Sequence, residues 1–203
     1  ARGVRATSTQ LVNSLQPPFH IFKRDDYENL DKLIGTREDE LTGEKITINY
    51  LDYLRKPSLN EVYAAILIGG NHSSGWGKSS LAETSGMVWS LNYCRNHGIP
   101  LKEAAFIECN SLDSLRAQKK ELLPGRPVIG DELSLADRVQ IQYMSEAGIK
   151  ALLNVARPAD LRAREHQVVL HAGTQRIFTC NCESLEEWIG DRAELKGCIP
   201  IFR

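Results

Sequence analysis

The chain reads as an α/β protein built on a mostly parallel sheet flanked by helices. Three observations predict this. The apolar run at residues 62–68, VYAAILI, has the length of a strand buried on both faces. Shorter strand-like runs recur at 104–109 (AAFIEC), 126–133 (RPVIGDEL), HQVVLHAG and QRIFTCN. Segments with helical spacing separate most of them, and strands that alternate with helices are joined by crossovers, which make parallel neighbours.

Taken in order, residues 1–19 are polar and end in Pro17-Pro18, which suits an arm or linker. The opening ARGVRATSTQ is basic, but no apolar core follows it, so it does not read as a secretory signal. DDYENLDKLI predicts a helix capped by Asp25 or Asp26. Residues 35–45 read as a charged loop or frayed helix. ITINYLDYL, residues 46–54, fits either a strand leading into a helix or a helix alone. Residues 1–56 are therefore expected to be an N-terminal arm with a small helical segment, a collar for oligomerisation. The α/β domain is expected over residues 57–203.

Within that domain, residues 57–60 form a turn before the first strand. A helix is predicted over 78–97, with Leu81, Met87, Val88 and Leu91 on one face, and HGIP ends it. Residues 111–123 predict a helix closed by Pro124-Gly125. Residues 134–157 look helical, SLEEWIGDRAEL is a late helical segment, and CIPIF closes the chain as a last strand.

Composition bounds the function only loosely. The 203 residues are 42% hydrophobic and 25% charged, ordinary for a globular domain, and the formal net charge is −1. Any nucleic-acid contact must then come from a local basic patch. The five cysteines, Cys94, Cys109, Cys180, Cys182 and Cys198, are odd in number and irregularly spaced. They are expected to be reduced thiols in a reducing, intracellular compartment. No apolar run is long enough to span a bilayer, so no membrane partner is expected.

Chemistry enters at GGNHSSGWGKSSLA, residues 69–82. A strand, a glycine-rich loop, a lysine and a helix are what phosphate binding needs. Backbone N–H groups in the turn point at the anion, and the helix N-terminus adds a favourable dipole. Ser74, Gly75, Trp76, Gly77, Lys78, Ser79 and Ser80 would line such a site, with Lys78 on the β- and γ-phosphates and the Ser79 hydroxyl on Mg2+. His72 stands where the strict pattern has its first glycine. Trp76 is read as packed on the outer face of the loop, or as stacking on a base or a neighbouring subunit.

The strand-ending pair Asp131-Glu132 suits the second half of such a site. An aspartate at the end of the strand beside the phosphate loop can hold the metal through water, and the following glutamate can polarise the attacking water. The run Arg176-Ile177-Phe178-Thr179-Cys180-Asn181 ends a strand in an amide that can bond both the γ-phosphate and that water. RPADLRAREHQ, residues 157–167, supplies Arg157, Arg162 and Arg164, either as a basic surface for a nucleic-acid backbone or as a solvated loop.

These three motifs, in this order, resemble a superfamily 3 helicase, a branch of the AAA+ ATPases. The closer likeness is to the ATPase domain of replication-initiator (Rep) proteins of circular single-stranded DNA viruses, over roughly residues 60–203. The likeness places His171-Ala172-Gly173 at a DNA-contacting hairpin tip, where the family has Lys-Gly-Gly. It places Thr179-Cys180-Asn181 at the strand end and Glu186-Glu187-Trp188 after it. It implies ATP and Mg2+ as cofactors and Lys78, Glu132 and Asn181 as catalytic groups, with Ser79 and Asp131 on the metal. It also implies Arg162, Arg164 and His171 on single-stranded DNA, and a homo-oligomer, a hexamer, in which Arg192 or Arg203 reaches a neighbour's site, Arg192 fitting better. A viral relative would work in the nucleus or cytoplasm of a host cell. No nicking domain of such initiators is recognisable. Two other classes stay open: a P-loop kinase with Arg162 and Arg164 as lid arginines, and a degenerate nucleotide fold that serves only assembly.

Overall fold

The run predicted at 62–68 forms strand β3 (Ala65–Ile68), whose four residues are all buried. The structure, a computed structural model, describes residues 30–39, 41–69, 77–118, 122–133, 146–162, 167–182, 185–189 and 201–202. The expectations for residues 1–29, including the Asp25 or Asp26 cap, and for 134–145 lie outside these residues. The other strands are β1 (Ile34–Glu38), β2 (Lys45–Asn49), β4 (Ile107–Cys109), β5 (Val128–Gly130), β6 (Ala159–Arg162), β7 (Gln167–Leu170), β8 (Arg176–Cys180) and β9 (Ile201–Phe202). The helices are α1 (Tyr50–Arg55), α2 (Pro57–Asn60), α3 (Lys78–Asn96), α4 (Leu112–Ala117), α5 (Glu146–Leu153) and α6 (Leu185–Ile189). None of the described helices is long and apolar enough to cross a membrane.

Seven strands make one sheet in the order β2-β1-β9-β3-β8-β5-β4, and β6 and β7 pair apart from it. The strands from β9 to β4 run parallel to one another, as expected. β8 lies between β3 and β5. β5, which leads into Asp131, is therefore not beside β3, as the sequence suggested, but one position further away.

The N-terminal segment differs from the small helical piece expected. Residues 30–32 are helical, but the charged stretch after them folds as an antiparallel hairpin, β1 with β2, and β1 joins the main sheet through β9. Turn chemistry outweighs the helix-like charge pattern here. The Asp39 carboxylate accepts the N–H groups of Leu41 and Thr42 at 2.9 Å, and Gly43 takes a left-handed φ of 70°. Those backbone bonds also hold the Asp39 carboxyl below its usual range. ITINYLDYL resolves into strand then helix: Asn49 closes β2 and caps α1, accepting from the N–H groups of Leu51 and Asp52. The basic stretch near Arg162 supplies β6, whose Ala159 and Leu161 are buried while Asp160 is exposed, a period-two pattern hidden among charges.

Two cores follow from the pleat. Ile66, Ile68, Val128, Phe178 and Cys180 face α4, α5, α6 and the β6–β7 pair. Ala65, Leu67, Ile129 and Ile177 face α1 and α3, with Tyr50, Tyr53, Trp89 and Phe202. Of the predicted face of α3, Met87 is buried, while Leu81, Val88 and Leu91 are only partly so; Trp89 and the small residues Thr84, Ser85, Gly86 and Ser90 are buried too. Their hydroxyls are used: Ser85 Oγ bonds Tyr50 Oη at 2.9 Å, and Ser90 Oγ accepts from the Ala105 N–H at 2.9 Å. The fully buried Arg176 donates to the Ala151 and Leu152 carbonyls, setting its charge against the negative end of α5. Burial pushes its guanidinium down to about 10.

Gly130, which interrupts an apolar strand, is required by packing. A Cβ there would meet Phe178 Cδ1 at 2.4 Å and Leu133 Cδ2 at 3.2 Å. Gly130→Val is therefore expected to destabilise the fold by about 1–3 kcal/mol through overpacking. Gly43→Asn, at an open left-handed position, is expected to stay within about 0.5 kcal/mol. Urea unfolding of both variants tests this; an unchanged midpoint for Gly130→Val would refute the packing role.

Candidate functional site

The site gathers where β5 and β8 end and α3 begins. In parallel α/β sheets this carboxyl edge is where ligands bind. Strand alternation decides which side chains reach it. Along β5, Val128 and Gly130 face one core and Ile129 the other, so Asp131 turns toward α3. Along β8, Ile177 faces α3, so Thr179 does too. α3 opens with Lys78 and Ser79, which brings three hydroxyl or carboxylate groups together.

Their geometry is close. Ser79 Oγ donates to Asp131 Oδ1 at 2.5 Å, and Thr179 Oγ1 donates to the same oxygen at 2.9 Å. The Glu132 N–H donates to Thr179 Oγ1 at 2.9 Å. Asn181 Nδ2 donates to Glu132 Oε1 at 3.3 Å. The Asp131 N–H donates to the Cys109 carbonyl at 2.8 Å, so neighbouring β4 fixes its backbone. Glu132 takes φ 53°, the only positive φ among the described non-glycine residues. Such a backbone costs about 1–3 kcal/mol and clusters at functional sites.

At the N-terminus of α3, Gly77 sits at the cap with φ 80°, no side chain among the described residues caps the helix, and its first turn carries no acid. α1, by contrast, is closed by its own asparagine. Lys78 is half-buried. Loss of water lowers its ammonium from the usual range, while Glu132 and Asp131 act in the opposite direction. Ser79 and Asp131 present hard oxygen donors, which suit Mg2+. Among the described residues no group of three or more His, Cys, Asp and Glu side chains forms a metal cage.

The structure thus brings together Lys78, Ser79, Asp131, Glu132 and Asn181 from the sequence-based set. Ser80 is exposed on the first turn of α3, beside the site. Ser74, Gly75, Trp76, Arg164, Arg192 and Arg203 lie outside the described residues, as does His72. Arg162 ends β6, away from this cluster in the chain. His171 was expected at a hairpin tip; it is exposed in the turn that leads from β7 into β8, and the antiparallel partner of β7 is β6. That turn is closed by the Thr174 N–H on the His171 carbonyl and by the left-handed Gly173, and it lies at the opposite end of β8 from Asn181.

A cavity of about 390 Å³ opens elsewhere, between α1–α2 and the far half of α3, lined by Asn60, Trp89, Asn92, His97 and Gln175. It plays no part in this cluster.

Two features were not foreseen. Thr179 is 1% exposed and joins Asp131 to Glu132. Its position two residues before Asn181, on the same strand face as Asp131, was the available signal. The Cys180 and Cys182 sulfurs are joined as a disulfide, where reduced thiols were expected. Their Cα atoms lie 5.4 Å apart across Asn181, a separation a disulfide spans. Cys94 and Cys109 are free and buried, and Cys198 lies outside the described residues.

If Thr179 ties the two acids together, a Thr179→Val, Asp131→Ala double-mutant cycle in urea should show a coupling of about 0.5–3 kcal/mol. Thr179→Ser should recover most of what Thr179→Val loses. Additive losses would show that the bond contributes nothing.

No protein-family model matches the chain, and no curated protein matches it.

Proposed function

We propose that the chain is a Mg2+-dependent ATPase of the superfamily 3 helicase type, acting on single-stranded DNA as a ring-forming homo-oligomer, a hexamer. One observation carries the reading: Ser79, Asp131, Thr179, Glu132 and Asn181 form one hydrogen-bonded chain at the N-terminus of α3. A helix end that binds phosphate needs none of these acids. Hydrolysis at that end needs a metal-holding carboxylate, a base and a polar group to orient water.

In this reading Lys78 and the N–H groups opening α3 bind the β- and γ-phosphates. Ser79 and Asp131 hold Mg2+, which when bound would neutralise charge on those phosphates. Glu132 takes a proton from the attacking water, and Asn181 orients that water and senses the γ-phosphate. Both side chains are exposed at the edge, so water can reach them. Asp131 remains a ligand rather than a base because two hydroxyls already occupy one of its oxygens.

DNA binding would come from the β6–β7 hairpin, whose sequence carries Arg162 and Arg164. Arg192 would reach a neighbouring subunit's phosphates, which is why a ring is part of the proposal. His171, at the far end of β8, is a weaker candidate for the DNA path.

ATP turnover by the purified chain, with and without single-stranded DNA, tests this. Lys78→Ala and Glu132→Gln should each lower turnover by at least about 100-fold, the scale of one lost charge-stabilising or proton-transfer group. Glu132→Gln should keep nucleotide affinity, and Lys78→Ala should lose it. Turnover that survives both substitutions would refute the assignment. An absence of turnover, with equal nucleotide affinity in Lys78→Ala and the parent, would favour an assembly module.

A further inference from the structure

The disulfide between Cys180 and Cys182 spans Asn181, the residue just after β8, whose side chain reaches the proposed base. Cys180 is the last residue of β8 and faces the core with Phe178 and Trp188. Cys182 packs partly against the same core, and its N–H donates to Cys180 Sγ at 3.2 Å. The small ring they close leaves Asn181 pointing the opposite way, out to the edge, with its amide on Glu132. β8 is paired with β5 through Phe178 and with β3 through Cys180, whose carbonyl also accepts the Gly69 N–H, so the strand is held up to Cys180. Any change of backbone made by opening the ring must be taken up at Asn181 and Cys182.

We propose that Cys180 and Cys182 are a reversible redox site that reacts with low-molecular-weight disulfides, and that its state sets the position of Asn181. The hydrolysis consequence rests on the ATPase reading above; the redox site itself does not. The half-buried Cys182 is the accessible sulfur, and Cys180 is 8% exposed. Its thiolate attacks a disulfide such as oxidised glutathione, forming a mixed disulfide and releasing one thiol. The Cys180 sulfur then attacks the Cys182 sulfur and expels the second thiol. Two protein thiols are oxidised and one disulfide is reduced to two thiols, so no further oxidant is needed.

The other described cysteines are poor competitors. Cys94 and Cys109 are buried, and burial raises both thiols, Cys109 to about 12. In the oxidised state Asn181 is held on Glu132, which occupies an oxygen the base needs for water. In the reduced state Asn181 is released, and turnover rises.

The test uses the full chain, 15N-labelled, carrying Cys198→Ser, in reduced and in oxidised glutathione. Oxidation should remove two hydrogens by intact mass, with the bond mapped to the peptide holding Cys180 and Cys182. The Asn181 side-chain amide resonances, assigned by their loss in Asn181→Asp, should move between the two states. That movement should vanish in Cys182→Ser, whose dispersed spectrum reports that the fold is kept. Turnover should be about fivefold higher when reduced, the equivalent of one net hydrogen bond. Failure to form this disulfide, an Asn181 resonance that does not move, or equal turnover in both states of an active protein would each overturn the inference. A moving resonance with no turnover in either state would instead overturn the ATPase reading and leave the redox site standing.

Discussion

The insertion of β8 between β3 and β5 is the constraint on which the site depends. It makes the strand wholly buried and puts its last residues between the helix that follows β3 and the acids that follow β5. One hydroxyl then does what no backbone pairing could. Thr179 Oγ1 donates to Asp131 Oδ1 and accepts from the Glu132 N–H, so both acids are referred to the same atom. At 1% exposure this hydroxyl cannot trade its partners for water. Removing it would leave a buried donor or acceptor unmet, which costs more than a hydrogen bond contributes. Gly130 belongs to the same constraint, because the Phe178 ring of β8 lies where its side chain would be.

What could be read from the sequence was what local pattern encodes. The apolar run of β3, the lysine that opens α3, and the polar residues that end β5 and β8 each declare themselves within a few residues. The lateral order of the strands does not, because it depends on contacts between residues far apart in the chain. That is why Asp131 was expected beside the phosphate-loop strand, and why Thr179 was passed over as an ordinary strand residue. α3 was misjudged for a different reason. Its predicted face follows large apolar residues, but close approach to the sheet at Gly86, where a Cβ would lie 3.1 Å from Ile129 Cδ1, selects small ones. Their hydroxyls find partners, so burial carries no penalty that the sequence would have flagged. The hairpin at the N-terminal side was hidden because charged residues on a half-exposed edge strand look like those of a solvated helix.

That hairpin ties the two ends of the described chain together. β9 has two residues and fits between β1 and β3. Its Phe202 is 1% exposed and meets Tyr50 edge-on at 4.9 Å and Tyr53 at 5.6 Å. Gly35 of β1 leaves room for that ring: a Cβ there would lie 2.6 Å from it. Tyr53 Oη in turn donates to the Tyr63 carbonyl at 2.8 Å, just ahead of β3. The segment over residues 30–55 shares a core with α3, and through α3 it supports the site. Burial raises both tyrosine hydroxyls well above their usual range, so they stay neutral donors in this core.

The choice between a working site and a worn-out one turns on Glu132. A nucleotide fold kept only for assembly has no use for a glutamate at φ 53°, since Gly or Asn would hold the same turn at less cost. Nor does it need the Glu132 N–H fixed by a buried threonine. Strain at a carboxylate beside a phosphate-ready helix end makes sense where that carboxylate acts on something bound there. That strained glutamate and the hydrogen-bonded chain from Ser79 to Asn181 are what the proposed hydrolase reading rests on.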